Sequence, residues 1–177
     1  SRMKLAPATA WPFFVIPLVV VFDQVTKAMI LAEPRLNGLG CLSDGRLCGK
    51  IVVPGPVDLS MVWNRGMSYG LLQSEGIMRW VLAGLMAAIA AGFFIWLLRA
   101  HGRWLKLSLA MVVGGAIGNL IDRVRFGAVV DFVDVNELTF GFFPWVFNVA
   151  DASITIGAIL LFTDQFLLSR PKQANSM

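Results

Sequence analysis

The stretch Gly114–Asp134, GGAIGNLIDRVRFGAVVDFVD, starts as an apolar, glycine-spaced helix and ends in three carboxylates, Asp122, Asp131 and Asp134. Gly114 and Gly118 stand in a GxxxG arrangement, which lets a membrane helix approach the backbone of another. Acids crowded where a hydrophobic segment meets water are costly unless they have a partner, a proton or a purpose. A fourth acid, Asp151 in FNVADASI, opens the next hydrophobic segment from the same side. Whether two of these four meet decides both the fold and the function.

The rest of the chain is equally apolar. Of 177 residues, 57% are hydrophobic and 15% charged, and the mean hydropathy is +0.72, far from the usage of a soluble domain. This composition is that of a membrane protein. The formal charge of +4 does not point to nucleic acid, because no basic stripe is interleaved with aromatics on a polar face. The basic residues flank apolar runs instead, as juxtamembrane anchors do.

Four segments have the roughly 20 residues needed to cross a bilayer: Trp11 to Leu31, Trp80 to Leu98, Leu105 to Ile121, and Ala152 to Leu168. The first is too long for a cleavable leader, and no small-x-small site follows it. Arg2, Lys4, Arg99, Arg103, Lys106, Arg170 and Lys172 crowd the tails and the short 99–106 turn. That density predicts cytoplasmic termini and outward-facing loops over 32–79 and 122–151. The expected fold is an all-α membrane protein of four transmembrane helices with a small extramembrane β element, one integral-membrane domain over 1–177.

The β element is expected on loop 33–79. Val57, Leu59, Met61 and Trp63 alternate with Asp58, Ser60, Val62 and Asn64, a period of two broken only at Val62. Lys50 to Val53 reads as a partner strand, Asn64-Arg65-Gly66 as a turn, and Gly70 as a second flexible point. Cys41 and Cys48 in the same loop fit either a disulfide, if the loop lies outside the cytoplasm, or two free thiols. The aromatic run Phe140, Phe142, Phe143, Trp145 and Phe147 suits the headgroup zone.

The acids differ in their surroundings. Asp23 and Lys27 stand at i and i+4, the favourable order for a pair on one helix face. They form either a self-neutralised pair at the interface or the support of a site. Asp122 has Arg123 beside it and Arg125 nearby, which suits a structural ion pair and a lowered pKa. Asp131 sits among Val129, Val130, Phe132 and Val133, where desolvation raises the pKa toward an acid/base range. Asp151 is placed either as a helix N-cap or as a second reactive carboxyl.

If Asp131 and Asp151 approach each other, their repulsion becomes decisive. Two unit charges 4 Å apart cost about 4 kcal/mol at an effective dielectric near 20, or roughly three pKa units. One proton then stays on the pair, the device by which aspartic proteases activate water. This chemistry needs no nucleophilic side chain, metal or organic cofactor. Placement disfavours a serine–histidine site, since His101 is the sole histidine and falls in the turn expected on the cytoplasmic side, across the membrane from the acids.

Five blocks together resemble the signal peptidase II family. They are Asp23-Gln24-Val25-Thr26-Lys27, Asn64-Arg65-Gly66 through Gly70, Gly114 to Arg123, Val129-Val130-Asp131-Phe132, and Phe147-Asn148-Val149-Ala150-Asp151. The resemblance implies an aspartic endopeptidase of the bacterial inner membrane that removes signal peptides from prolipoproteins, cutting before a cysteine that carries diacylglycerol. It implies Asp131 and Asp151 as the catalytic pair and Asn64 and Gly66 near the substrate. Asn119, Asp122, Arg123, Asn148 and Ala150 would surround the pair, with Asp23 and Lys27 supporting it from the first helix. It also implies membrane lipid as a partner and inhibition by globomycin-type cyclic peptides. The chain departs from the family pattern at Tyr69, where Phe is more frequent, and in the longer segment 33–56.

The competing reading is a small four-helix transporter or channel subunit, in which intramembrane acids and Lys27 mark an ion path. It requires acids spread through the bilayer depth, whereas these gather at one face, with Asp164 the exception. A thiol oxidoreductase working through Cys41 and Cys48 lacks the close CxxC spacing and a second pair.

Overall fold

The computed structural model describes residues 10–42, 48–66 and 76–168. Tyr69, Gly70 and the basic residues Arg2, Lys4, Arg170 and Lys172 lie outside them. Four helices dominate: α1 (Trp11–Ala32), α2 (Ile77–Arg99), α3 (Arg103–Phe126) and α4 (Val149–Thr163), the last running on into a wider π turn at Asp164–Leu168. Each is long and apolar enough to cross a membrane when that turn is counted with α4. The helices overrun the apolar segments at most ends, because a helix continues through polar residues once its first turns are packed.

Helix α3 is the centre of the bundle. Of its apolar window 56% is buried, against 17% for each of the other three. Small residues make this packing close. A Cβ added at Gly114 would lie 2.9 Å from Val19 Cβ, and one at Gly118 would lie 2.5 Å from Asp23 Oδ2. The GxxxG face therefore seats α1. The adjacent Gly115 faces α4, where an added Cβ would stand 2.5 Å from the Ala150 carbonyl oxygen and 2.6 Å from Ile154 Cγ1, while Gly157 of α4 meets the Ser108 backbone. Large apolar side chains such as Phe14, Leu18, Ile89 and Ile159 are left exposed around the outside, as hydrocarbon contact requires.

Gly115→Leu is expected to push the start of α4 away from α3 and to lower stability by about 1–3 kcal/mol, the usual cost of overpacking. Gly84, where an added Cβ would meet no atom within 4 Å, supplies the control. Gly84→Leu should leave the thermal midpoint in detergent unchanged.

The strand over Val57–Asn64 is present as β2 (Asp58–Asn64), paired antiparallel with β1 (Lys50–Ile51). The sheet is larger than loop 33–79 alone. It has the order β1-β2-β3-β4, with β3 (Val129–Asp134) and β4 (Val146–Phe147) supplied by the loop between α3 and α4. The run VVDFVD carries no apolar–polar alternation because β3 is covered on both faces, so its period is hidden in the sequence. Val62 faces Asp131 and Asn64 faces Val129, with an irregularity between Leu59 and Val62.

Behind the sheet, Met61, Val130 and Phe132 pack on Ile30, Leu36 and Cys41. Cys41 and Cys48 form a disulfide, which closes the lobe over this core. Trp63 Nε1 donates to the Gly38 carbonyl at 2.7 Å, and Arg65 to that of Leu42. Alternation along β3 then aims Asp131 away from Val130 and Phe132, toward the helix ends.

Candidate active site

Four elements bring polar groups to one end of the bundle, and backbone geometry positions each of them. Helix α3 ends at Gly127, whose left-handed φ of 74° lets its N–H return to the Arg123 carbonyl. The chain turns there directly into β3. Helix α4 begins with a capping box: Asn148 Oδ1 accepts from the Asp151 N–H at 2.8 Å, and Asp151 Oδ2 accepts from the Asn148 N–H at 3.2 Å. The N-cap is thus Asn148. Asp151 occupies the third helical position, which corrects the N-cap reading of that acid.

Lys27 forms the floor. Its Nζ lies 2.8 Å from Asp23 Oδ2, 2.9 Å from Asp122 Oδ2 and 3.0 Å from Asn119 Oδ1. Lys27 is 2% exposed, Asp23 0% and Asp122 1%. The Asp23–Lys27 pair is therefore a buried support and not an isolated interfacial couple. Asp23 Oδ1 also accepts from the Ala150 N–H at 2.9 Å, tying α1 to α4. Asp122 Oδ2 accepts from the Val130 N–H at 3.0 Å, tying α3 to β3.

Asp122 pairs with Lys27 and not with its neighbours in sequence. Adjacent residues on a helix do not face each other. Arg123 turns toward α2, where its Nε donates to Met86 Sδ at 3.0 Å. Arg125 lies over the Phe126 ring, 4.6 Å from its centroid.

Above the floor sit two asparagines. Asn119 Oδ1 accepts from Lys27 and from Asn148 Nδ2, and its Nδ2 donates to Asp151 Oδ1 at 2.9 Å. Asn148 Nδ2 donates to Asp131 Oδ1 at 2.8 Å and also reaches the Val130 carbonyl at 3.1 Å. One amide side chain is thereby bonded to Asp131 and, through its own oxygen, to the backbone of Asp151. Asn64 adds a further hydrogen bond to Asp131 from β2. Gly66 joins through the turn, its N–H donating to Asn64 Oδ1 at 3.1 Å.

Asp131 is held in an unusual state. Burial raises its carboxyl, the nearby Asp151 charge raises it further, and the hydrogen bonds from Asn64 and Asn148 only partly offset this, so its pKa is pushed up to about 7 from 3.8. A carboxyl whose pKa rises on folding favours the fold while protonated. That advantage is complete below about pH 4 and is lost as the pH climbs through 7. Asp131→Asn is thus expected to stabilise the protein at pH 8 relative to wild type by up to about 4 kcal/mol, and hardly at all at pH 4. Thermal unfolding of both proteins across this range measures the difference.

Gln24 is a site residue that sequence reasoning misses, although it lies inside the Asp23–Lys27 block. Its Nε2 reaches Asp122 Oδ1 at 3.1 Å and the Gly118 carbonyl at 3.1 Å. The available signal is its position: an amide beside two charges within an apolar helix seldom lacks a partner.

Residues 15–167 match the family model described as signal peptidase (SPase) II. The chain belongs to the signal peptidase II family. It is 42% identical to a lipoprotein signal peptidase of Caulobacter vibrioides over 92% of this chain and 90% of the relative. It is 36% identical to one of Pseudomonas aeruginosa over 89% and 88%. A solved bacterial membrane enzyme superposes with a TM-score of 0.68 at 27% identity, covering 95% of this chain and 94% of the other. A second superposes at 0.64 and 29%, covering 89% and 94%.

As a signal peptidase II, the chain is a membrane aspartic endopeptidase. Asp23, Asp122, Asp131 and Asp151 collect at one end of the bundle, and Asp164 alone of the described helix acids lies at the other end of α4. His101 lies at the far end of α3 from Asp122, about 30 Å away along a helix that rises 1.5 Å per residue.

Proposed function

We propose that this signal peptidase II cuts prolipoproteins just before the diacylglyceryl-modified cysteine, with Asp131 and Asp151 as a carboxyl pair that shares one proton. The observation that carries the reading is Asn148, which bonds to the Asp131 carboxylate and closes a reciprocal cap with Asp151. No metal or organic cofactor enters the chemistry. Below about pH 7 the proton rests on Asp131, in line with its raised pKa.

In the first step Asp151 takes a proton from a water molecule, and the water oxygen bonds to the scissile carbonyl carbon. Asp131 gives its proton to the carbonyl oxygen, so a neutral tetrahedral diol forms. In the second step Asp151 returns a proton to the leaving nitrogen while Asp131 recovers one from the diol, and the C–N bond breaks. The pair ends with one proton, as it began. Asn64 and Gly66 flank the substrate backbone. Arg123 Nη1, buried and without a partner among the described residues, supplies a donor to a substrate oxygen. Asp23, Lys27, Asn119, Asp122 and the Ala150 N–H keep the pair in register.

We place both termini in the cytoplasm and the sheet with its disulfide on the periplasmic face of the inner membrane. The Cys41–Cys48 bridge supports this orientation, since disulfides persist on the oxidising side. Globomycin-type cyclic peptides compete with the substrate at the carboxyl pair.

Purified protein incubated with a diacylglyceryl prolipoprotein tests the reading. Mass spectrometry should find a mature product beginning at the lipidated cysteine, and cleavage elsewhere would overturn it. The kcat/KM should fall about tenfold per unit above pH 7, as the shared proton leaves. A flat profile to pH 9 contradicts a pair that needs its proton.

A further inference from the structure

A cleft of about 480 Å³ opens between the aromatic run and the outer face of α4, within the size range of small-molecule sites. Phe143, Trp145 and Phe147 form one wall, Ala152, Thr155 and Ile156 the other, and Asp151 borders it. The aromatic wall is packed: Phe143 meets Trp145 edge-on at 5.1 Å and Phe147 at 6.2 Å. On α4, Asp151 and Thr155 are four residues apart, as are Ala152 and Ile156, so each couple shares a face. The cleft therefore starts beside a carboxylate and runs along the helix toward the lipid-facing residues Ile156 and Ile159.

Thr155 is the polar exception within it. The other three described threonines, Thr26, Thr139 and Thr163, each donate their hydroxyl to a carbonyl one turn back, all at 2.9 Å. The Thr155 hydroxyl makes no hydrogen bond among the described residues. A lone hydroxyl facing hydrocarbon is unfavourable unless something supplies an acceptor.

The inference rests on the function proposed above. The glyceryl thioether is carried by the residue whose amide is cut, so its acyl esters begin a few bonds from the carboxyl pair. A fatty chain leaving that point needs an apolar slot that begins at the pair and continues into the bilayer. We propose that this cleft receives one acyl chain of the S-diacylglyceryl cysteine, and that the Thr155 hydroxyl donates to its ester carbonyl. Lipid contact is thereby continuous from the outer face of α4 to the site.

The test uses purified full-length enzyme and three diacylglyceryl-type peptide substrates: long ester chains, short ester chains, and long ether-linked chains that lack the carbonyl. Ala152→Trp, which fills the slot, should lower the preference for long over short chains at least about tenfold, through KM. Ile156→Trp plugs it lower down and gives the same reading should Ala152→Trp fail to fold. Thr155→Val should lower the preference for ester over ether about fivefold, the scale of one hydrogen bond. Unchanged ratios, expected if bulk phospholipid fills the cleft, overturn the inference, as do equal losses on all three substrates. Wild type that cuts none of them overturns the parent reading instead.

Discussion

Asp131→Asn and Asp151→Asn are each expected to lower kcat/KM for a diacylglyceryl prolipoprotein by roughly 10³-fold or more, while the purified variants stay folded. On the proposed mechanism either substitution removes the proton-sharing device entirely, because a carboxamide can neither accept a proton from water nor release one to the substrate. The fold should survive Asp131→Asn, since the Asn148 amide can donate to the new carboxamide oxygen as it does to Asp131 Oδ1. The double variant should be little worse than either single one, as befits groups that act as a unit. Asp122→Asn is the comparison. Its carboxylate is engaged by Lys27, Gln24 and the Val130 N–H, so its loss should appear as a milder defect that follows stability. Normal cleavage by Asp131→Asn or Asp151→Asn would remove that residue from the mechanism.

Lys27→Met is expected to destabilise the protein by about 3–5 kcal/mol, the usual cost of removing one partner from a buried ion pair. The reason is what remains: Asp23 and Asp122 stay buried, 0% and 1% exposed, with no cation between them. Burial of two carboxylates without a counter-charge is strongly unfavourable and promotes local opening. Asp122 anchors the backbone of β3 and Asp23 that of α4, so processing should fall together with the thermal midpoint. Adding Asp23→Asn and Asp122→Asn to Lys27→Met removes the unpaired charges and should recover part of the lost midpoint. No recovery would show that Lys27 acts through packing of its stem and not through charge.

Some of this is legible in the residues. The four helices follow from apolar runs long enough for a bilayer, and β2 from a period of two over Val57–Asn64. Asp131 stands out because hydrophobic neighbours in sequence are also, in a strand, a guide to desolvation. The failures share one cause. Adjacency in sequence matches Asp122 with Arg123, yet helical geometry turns adjacent side chains apart and offers Asp122 to Lys27, on a different helix. Asp151 suits a cap because it opens an apolar run, yet the residue with the right backbone is Asn148, at the N-cap of α4. Strand β3 escapes notice because burial on both faces erases the alternation by which strands are recognised.

What the sequence determined by itself is therefore the membrane fold, the gathering of Asp122, Asp131 and Asp151 at one end of the spans, and, through five ordered motif blocks, the family. These are properties of local composition and spacing, which survive without knowledge of who touches whom. Tertiary structure alone decided the partners: Lys27 between Asp23 and Asp122, Asn148 between Asp131 and Asp151, and the sheet assembled from two separate loops. The physical reason is that a buried charge takes whichever counter-charge the packing of helices brings within about 3 Å, and that packing is set by the glycine faces of α3, not by distance along the chain.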